Sequence, residues 1–233
     1  MRSVLYLVLS FMGLLTPLFS YAQGGQTRNL PRYDAKPLHF GFILGSNSMD
    51  FRVRTNPSFP STVFGLHSVA QPGFIVGIVS DVRVGNSLNV RFIPTYSAGE
   101  RHLLFDAIDP SDGLRKELTK KIESSLVVFP LELKYKTERI HNHRWYVVSS
   151  LYTMIDLASK AKVVDDRLFK LQSSDYGYDV GVGIDLYFEY FKFSPQIRAQ
   201  FGQADLLVND GTNYVKSLNG LNSRCLMIVF AFE

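Results

Sequence analysis

Apolar and polar side chains alternate with a period of two along most of the chain, which is the spacing of β-strands rather than of helices. Between Phe191 and Phe201 the odd positions are mainly apolar, whereas the even ones are Lys, Ser, Arg and Gln. The alternation is also clear in segments 125–136, 176–188 and 225–232. Less regular versions occur near 38–54, 73–84, 88–97 and 144–157. The pattern predicts eight strands, and it leaves the inner face of segment 144–157 undetermined.

The connections between these strands alternate in length. Short ones lie near 85–87, 137–143 and 189–190, and long ones near 55–72, 98–124, 158–173 and 202–221. An even strand count, with short turns at one end and long loops at the other, is typical of outer-membrane β-barrels. We therefore predict an all-β fold, an eight-stranded antiparallel transmembrane β-barrel with both termini on the periplasmic side.

One long connection has a second periodicity. In segment 109–124, Leu114, Leu118 and Ile122 recur every four residues behind Asp109-Pro110. This spacing is compatible with a short loop helix, and the polar composition is compatible with a flexible loop. The sequence leaves both interpretations open.

A soluble barrel with an apolar interior, such as a lipocalin, would alternate in the same way. Here one face of the strands combines glycine with charges of both signs, which suits the narrow, side-chain-filled interior of an eight-stranded barrel. The other face is bulky and aromatic, and aromatic residues gather near the strand ends as they do in interfacial girdles. These features favour the membrane barrel.

The chain begins with the three-part pattern of an export signal. Arg2 precedes an apolar run from Val4 to Phe19, and small residues stand at Ser20 and Ala22. We interpret residues 1–22 as a cleaved signal peptide, because Pro17 and the short run argue against an uncleaved anchor helix. Residues 23–37 are then an extended periplasmic lead-in, and residues 38–233 form the outer-membrane barrel.

Composition excludes several other classes. The chain is 46% hydrophobic and 20% charged, which excludes a disordered or low-complexity protein. The net charge is +4 without a Lys/Arg block, so no nucleic-acid partner is expected. Cys225 is the single cysteine, which excludes an intrachain disulfide and a cysteine-based zinc site. We expect no cofactor and no small-molecule substrate, with outer-membrane lipid as a partner.

Charged residues recur on the face that the alternation assigns to the barrel interior. Buried charges must be paired, so we interpret them as a neutralising lumen charge network. An ion or substrate path is the alternative, which the width of an eight-stranded barrel disfavours. The residues are Asp81, Arg83, Arg91, Glu132, Lys134, Lys136, Asp179, Asp185, Lys192, Arg198 and Arg224.

Histidines raise the question of metal binding or catalysis. His141 and His143 flank a predicted turn, but no third or fourth metal ligand is evident near them. His67 adjoins Ser68 and His102 lies in another outer loop, yet no nucleophile motif accompanies them. We therefore predict no metal site and no catalytic residue, and hence that the protein is not an enzyme.

Two sets of residues resemble known proteins. The segments 129–135, 179–185 and 193–198 are similar to those of many small Gram-negative outer-membrane barrels. The narrower set is Asn29-Leu30-Pro31-Arg32-Tyr33-Asp34 followed by segment 36–42. Together with the strand spacing, this lead-in resembles the PorT (SprT) family of the type IX secretion system.

The resemblance implies a non-enzymatic accessory needed to export cargo with C-terminal targeting domains across the outer membrane. It would act as a scaffold or chaperone of the translocon, with other type IX secretion proteins as partners. An extended segment beside a barrel can be ordered by a partner, so the candidate partner-binding residues are Asn29, Leu30, Pro31, Tyr33, Asp34, Lys36 and Pro37. Two alternatives are a generic surface barrel for adhesion or membrane integrity, acting through its long loops, and a lipid-modifying enzyme using His67 and His102.

Overall fold

The computed structural model describes residues 28–55, 63–108, 113–158, 171–208 and 218–233. The predicted signal peptide, 1–22, and the start of the lead-in, 23–27, lie outside these residues. A 3₁₀ turn covers Tyr33–Ala35. The strands are β1 Leu38–Thr55, β2 Val63–Arg83, β3 Leu88–Phe92, β4 Thr95–Ile108, β5 Arg115–Lys136, β6 His143–Asp156, β7 Ser174–Tyr187, β8 Lys192–Gly202 and β9 Leu218–Phe232.

The strands close into an antiparallel ring. Apart from β3 and β4, neighbours along the chain pair with each other, and β1 pairs with both β2 and β9. β3 and β4 are two halves of one barrel strand, since each pairs with β2 on one side and with β5 on the other. Pro94 separates them because proline cannot donate to the sheet ladder. The predicted eight-stranded antiparallel barrel is confirmed.

The two ends of the barrel differ. The turn end carries the short connections after β2, β5 and β7, together with the lead-in and Glu233. The loop end carries the connections after β1, β4, β6 and β8. No helix within the described ranges is long and apolar enough to cross a membrane.

The outward face of the barrel is an apolar belt. On β7 the outward positions from Tyr176 to Leu186 are all apolar or aromatic. At about 3.3 Å per residue and a tilt of about 40° they span roughly 25 Å, the height of the apolar band of a transmembrane barrel. The structure also assigns the faces of β6, whose Tyr146, Val148, Tyr152 and Met154 point inward.

Segment 109–124 is neither a helix nor a flexible loop where the structure describes it. β5 begins at Arg115 and pairs with β4 out to Ile108, so the two strands form a long hairpin at the loop end. A spacing of four residues is also a multiple of the strand period of two. Leu118 and Ile122 therefore share one face of β5, where they pack against a second hydrophobic cluster.

The barrel interior is filled in layers. A hydrophobic cluster including Ile43, Val79, Ile93 and Val229 crosses the middle of the lumen. Nearer the loop end a second cluster is built from Phe51, Leu103, Phe105, Ala107, Leu171, Leu206 and Leu221. Between the middle cluster and the turn end the interior is charged. Side-chain filling of this kind is expected of eight strands, whose interior is too narrow for an aqueous channel.

Candidate functional site: the charged lumen and its lid

Arg91 is the centre of the lumen charge network. Its guanidinium is fully buried and faces three carboxylates from different strands. Nη1 lies 3.0 Å from Glu132, Nη2 lies 2.9 Å from Glu233, and Nε lies 3.5 Å from Asp81. The planar guanidinium suits this role because its donors point in several fixed directions at once.

The remaining members extend the network across the lumen. Arg198 joins Glu132 at 2.7 Å to Asp179 at 2.7 Å. Asp185 accepts from Lys134 at 2.7 Å and from Arg144 at 3.1 Å. Lys192 donates to Glu233 at 2.8 Å. These ion pairs link β2, β3, β5, β6, β7 and β8 with Glu233, which directly follows β9.

The ion pairs just described balance in charge. Five cations (Arg91, Lys134, Arg144, Lys192, Arg198) face five carboxylates (Asp81, Glu132, Asp179, Asp185, Glu233) in these contacts. Removing one partner from such a set leaves an uncompensated buried charge, which costs far more than an exposed ion pair gains. The arrangement fits a structural filling of the lumen.

Two residues predicted for the lumen lie elsewhere. Arg224 points outward, because it shares the even-numbered face of β9 with the exposed Leu226 and Ile228, whereas Ser223 and Cys225 fill the interior at that level. Arg83 lies at the rim of the turn end, where it donates to Gly85 and Asn86. It also donates to the carbonyl of Asp34.

Sequence reasoning missed Glu233 and Arg144. Glu233 continues the inward odd-numbered series of β9 after Val229 and Ala231, so strand alternation could have placed it inside. Arg144 shares the even-numbered face of β6 with Tyr146, but that face was ambiguous because both faces of the strand carry large apolar residues.

The lead-in folds over the turn end as a lid, which we define as residues 28–37. We expected an extended segment, but the chain turns at Leu30, whose φ is 46°, and then forms the 3₁₀ turn. Asn29 anchors its start by donating to Asn142 at 2.9 Å and to the Tyr187 carbonyl at 3.0 Å. The lid therefore covers the charged end of the lumen.

Tyr33 is the aromatic anchor of the lid. Its ring stacks on His39 with 4.1 Å between centroids and meets the edge of Tyr187. Lys192 lies 4.8 Å from the ring centroid, and the hydroxyl donates to Glu233 at 3.1 Å. Burial and the neighbouring Glu233 carboxylate raise the pKa of Tyr33, so the hydroxyl stays a donor.

Asp34 is the ionic anchor of the lid. Its carboxylate lies 2.8 Å from Arg144 and 3.6 Å from Arg139, and it accepts from the Tyr187 hydroxyl at 3.1 Å. Burial acts to raise the pKa of Asp34, but Arg144 and the hydrogen bond from Tyr187 outweigh it, so the pKa lies below its ordinary value. Tyr33 and Asp34 thus bind the barrel itself, whereas Pro31, Lys36 and Pro37 are exposed.

The loop end of the lumen is closed by a different arrangement. Arg101 is buried and donates to Ser124 at 2.9 and 2.6 Å, with Asp156 at 3.4 Å. Its guanidinium lies 4.3 Å from the centroid of the Phe51 ring, at the base of the second hydrophobic cluster. The described residues thus close the lumen at both ends and in the middle.

We predict that the reconstituted barrel shows no ion-conducting steps in a planar lipid bilayer, because charged, apolar and aromatic side chains fill its cross-section. The measurement is single-channel recording at about 0.15–1 M salt, with a porin in the same bilayer as the control that must conduct. Stable open-channel steps from the barrel alone would contradict a filled lumen.

The histidines are not gathered into a site. His141 lies on the turn between β5 and β6, His143 begins β6, and His102 is 2.9 Å from Glu100 on β4. Within the described ranges, no group of three or more His, Cys, Asp or Glu side chains is placed to hold a metal ion.

A closed ring of eight antiparallel strands, apolar outside and filled with paired charges inside, defines the class of small transmembrane β-barrels. The chain belongs to the family described as outer membrane protein beta-barrel domain, whose family model matches residues 21–208. It is therefore an outer-membrane barrel that sits in the lipid bilayer. A search of curated proteins finds no match.

Several solved structures are similar to this chain. The outer membrane protein OprG from Pseudomonas aeruginosa is 14% identical, with a TM-score of 0.46, over 84% of this chain and 93% of OprG. Neisserial surface protein A is 10% identical, with a TM-score of 0.41, over 84% of this chain and 98% of that protein. The outer membrane protein AlkL is 10% identical, with a TM-score of 0.40, over 92% of this chain and 93% of AlkL.

Proposed function

We propose that this barrel is a non-enzymatic accessory of the type IX secretion system, needed to export cargo with C-terminal targeting domains. The proposal rests on the resemblance of the lead-in to the PorT family and on one structural observation. The residues that carry the resemblance form a folded lid, with Tyr33 and Asp34 fixed to the barrel and Pro31, Arg32 and Lys36 left exposed.

The lid offers a defined surface for a protein partner. Arg28, Arg32 and Lys36 are exposed on it, and its one carboxylate, Asp34, is engaged with Arg139 and Arg144. A partner with an acidic face, such as a component of the translocon, would be complementary to this surface. Because the lumen is filled, the barrel would act by contact, as a scaffold or chaperone, and not as the cargo channel.

This function requires that the turn end face the periplasm. Transmembrane barrels have short periplasmic turns and longer external loops, and the short connections of this barrel lie at the end that carries the lid. In this orientation both termini and the lid are periplasmic, where a secretion partner could reach them.

The first test is the secreted-protein profile of a strain that lacks the gene. We expect cargo with C-terminal targeting domains to disappear from the medium and to accumulate in the periplasm, and the intact gene supplied in trans to restore export. Unchanged secretion would refute the proposal and leave a general role in adhesion or membrane integrity. The long β4–β5 hairpin favours that alternative, since functional residues concentrate on loops held by rigid scaffolds.

A charge reversal on the lid separates partner binding from barrel folding. Complementation with Arg32→Glu combined with Lys36→Glu should fail to restore export while the barrel remains in the outer membrane, because both side chains are exposed. Lys121→Glu, an exposed lysine on β5 at the loop end, is the matched control and should restore it. Equal export from both variants would exclude the lid surface as the contact.

A further inference from the structure

Three arginines point outward from neighbouring strands at the loop end. Arg52 and Arg54 lie on β1, and Arg224 lies on β9, paired in register with Asp50. Outward positions of a membrane barrel usually carry apolar side chains within the bilayer and polar ones only beyond it. These arginines therefore mark the border between the apolar belt and the aqueous side.

The arginines line a groove on the outside of the barrel. The groove has a volume of 410 Å³ and runs from Arg52, Arg54 and Arg224 to the rings of Tyr178 and Phe201. Its floor includes the polar side chains of Gln203 and Asn222. One wall is thus cationic and the other aromatic, with hydrogen-bonding groups between them.

One of the arginines lies close to the backbone of the neighbouring strand. A β-carbon at Gly220 would lie 2.5 Å from Nη2 of Arg54, so the missing side chain lets the guanidinium lie against the backbone of β9. In the opposite wall the Tyr178 and Phe201 rings contact each other, with 5.4 Å between their centroids.

Two carboxylates of the described residues lie beside these arginines, Asp50 next to Arg224 and Asp205 next to Arg54. Asp50 accepts from the Ser68 hydroxyl at 2.5 Å and from the Phe51 amide at 2.8 Å. Asp205 accepts from the amides of Leu207 and Leu221, and it reaches Arg54 only at 3.8 Å. Neither of them lines the groove, and its lining within the described residues carries three arginines and no carboxylate, which favours an anionic ligand.

The apolar belt meets the groove from below. Leu226 and Ile228 are exposed directly beneath Arg224 on β9, and Ile197 is exposed on β8 beneath Phe201. A molecule bound here could place an anionic group among the arginines while its hydrocarbon chains lie along the belt. That combination is the chemistry of a lipid with a phosphorylated headgroup, and arginine binds phosphate oxygens in pairs.

We propose that this groove binds the phosphorylated sugar headgroup of a glycolipid in the leaflet at the loop end, of the lipid A type. The arginines bind the phosphate, the polar floor binds sugar hydroxyls, and Tyr178 and Phe201 pack against the sugar ring and the start of the acyl chains. The site is independent of the lid and of the proposed function in secretion.

The test is a binding titration of purified, delipidated barrel in detergent, followed by native mass spectrometry. The probes are bisphosphorylated lipid A, the same lipid after removal of both phosphates, phosphatidylglycerol and inorganic phosphate. We expect lipid A to bind and the dephosphorylated form to bind at least tenfold more weakly. Arg52→Gln combined with Arg224→Gln should weaken lipid A binding by about 100-fold, since each charge-assisted hydrogen bond contributes about tenfold.

Controls separate the groove from general attraction to basic surfaces. Arg28→Gln combined with Arg32→Gln removes two exposed arginines at the turn end and should leave lipid A binding within about twofold of the wild type. The Arg52→Gln and Arg224→Gln double variant must keep the heat-modifiable gel band of a folded barrel. The assignment would be overturned if dephosphorylated lipid A bound as tightly as lipid A. It would also be overturned if phosphatidylglycerol or inorganic phosphate displaced lipid A as well as lipid A itself does, or if both arginine double variants lost the same amount of lipid A binding.

Discussion

Arg91→Ala is expected to lower the free energy of unfolding of the barrel by about 3–5 kcal/mol, the cost of breaking a buried ion pair from one side. The fully buried guanidinium faces Asp81, Glu132 and Glu233 within 3.5 Å. Without it, Glu132 retains Arg198 and Glu233 retains Lys192, whereas Asp81 loses the one cation that contacts it among the described residues.

Equilibrium unfolding in urea with detergent or lipid vesicles measures this effect. Lys121→Ala removes an exposed cation and is the control, with an expected change within about 0.5 kcal/mol. A loss of less than 1 kcal/mol for Arg91→Ala would show that the network contributes little to stability.

A second substitution tests whether the unpaired Asp81 carboxylate causes the loss of stability in Arg91→Ala. Asp81→Asn removes the charge that Arg91→Ala leaves uncompensated, and Asn89 remains as its hydrogen-bond donor. The double variant is therefore expected to be more stable than Arg91→Ala alone. In a double-mutant cycle the coupling between the two positions should exceed about 1 kcal/mol. Additive effects would assign the loss to the packing of the guanidinium instead.

The lumen network shows what strand alternation can and cannot predict. The alternation of apolar and polar residues correctly predicted from the sequence that Arg91, Glu132 and Asp185 lie inside, because successive side chains of a strand point to opposite faces of the sheet. The same rule, applied strictly to β9, would have placed Arg224 outside and Glu233 inside. Which cation meets which carboxylate depended on strand register and on the inward reach of side chains from distant strands, and neither can be read from one sequence.

The lid and the loop-end hairpin could not be predicted from the sequence, for two different reasons. The lead-in has no periodicity, so its folding over the barrel depends on contacts such as Tyr33 with Glu233, which are far apart in sequence. In the hairpin, a repeat of four residues satisfied both a helix and a strand, and only pairing with β4 decided between them. Local patterns specify faces well, but they do not specify long-range partners.

Tyr33→Ala combined with Asp34→Ala is expected to release the lid while the barrel stays folded. The double variant removes the ring stack on His39, the hydrogen bond to Glu233 and the ion pairs with Arg139 and Arg144. Each hydrogen bond to a charged group contributes about 1–3 kcal/mol to the free energy of lid closure. Because the variant removes several of them, the population of the open lid should rise at least 100-fold.

A spin label at position 35 reports the lid directly. Ala35 is exposed, and Cys225 is buried, so the Ala35→Cys thiol is the accessible one among the described residues. The label should be restrained in the otherwise native barrel and highly mobile in the double variant. Lys36→Ala, which removes an exposed neighbour, is the matched control and should leave the spectrum unchanged. A restrained label in the double variant would contradict the anchoring by Tyr33 and Asp34.

Low pH should also open the lid of the native barrel, because protonation removes the charge of Asp34. Because the pKa of Asp34 is lowered in the closed lid, its contribution to closure is complete above the ordinary carboxyl pKa of about 4. That contribution is lost as the pH falls through the lowered value, so label mobility should rise below about pH 4. The double variant lacks this carboxylate, and its spectrum should not change in the same window.

The double variant also separates the lid from the lumen. The substitutions leave the ion pairs among the lumen residues and both hydrophobic clusters unaltered in composition, so the variant should stay closed to ions. If it fails to support export while remaining folded and non-conducting, the lid is the element on which secretion depends. Normal export by the same variant, with the label mobile, would exclude the closed lid from the secretion mechanism and return attention to the loop end.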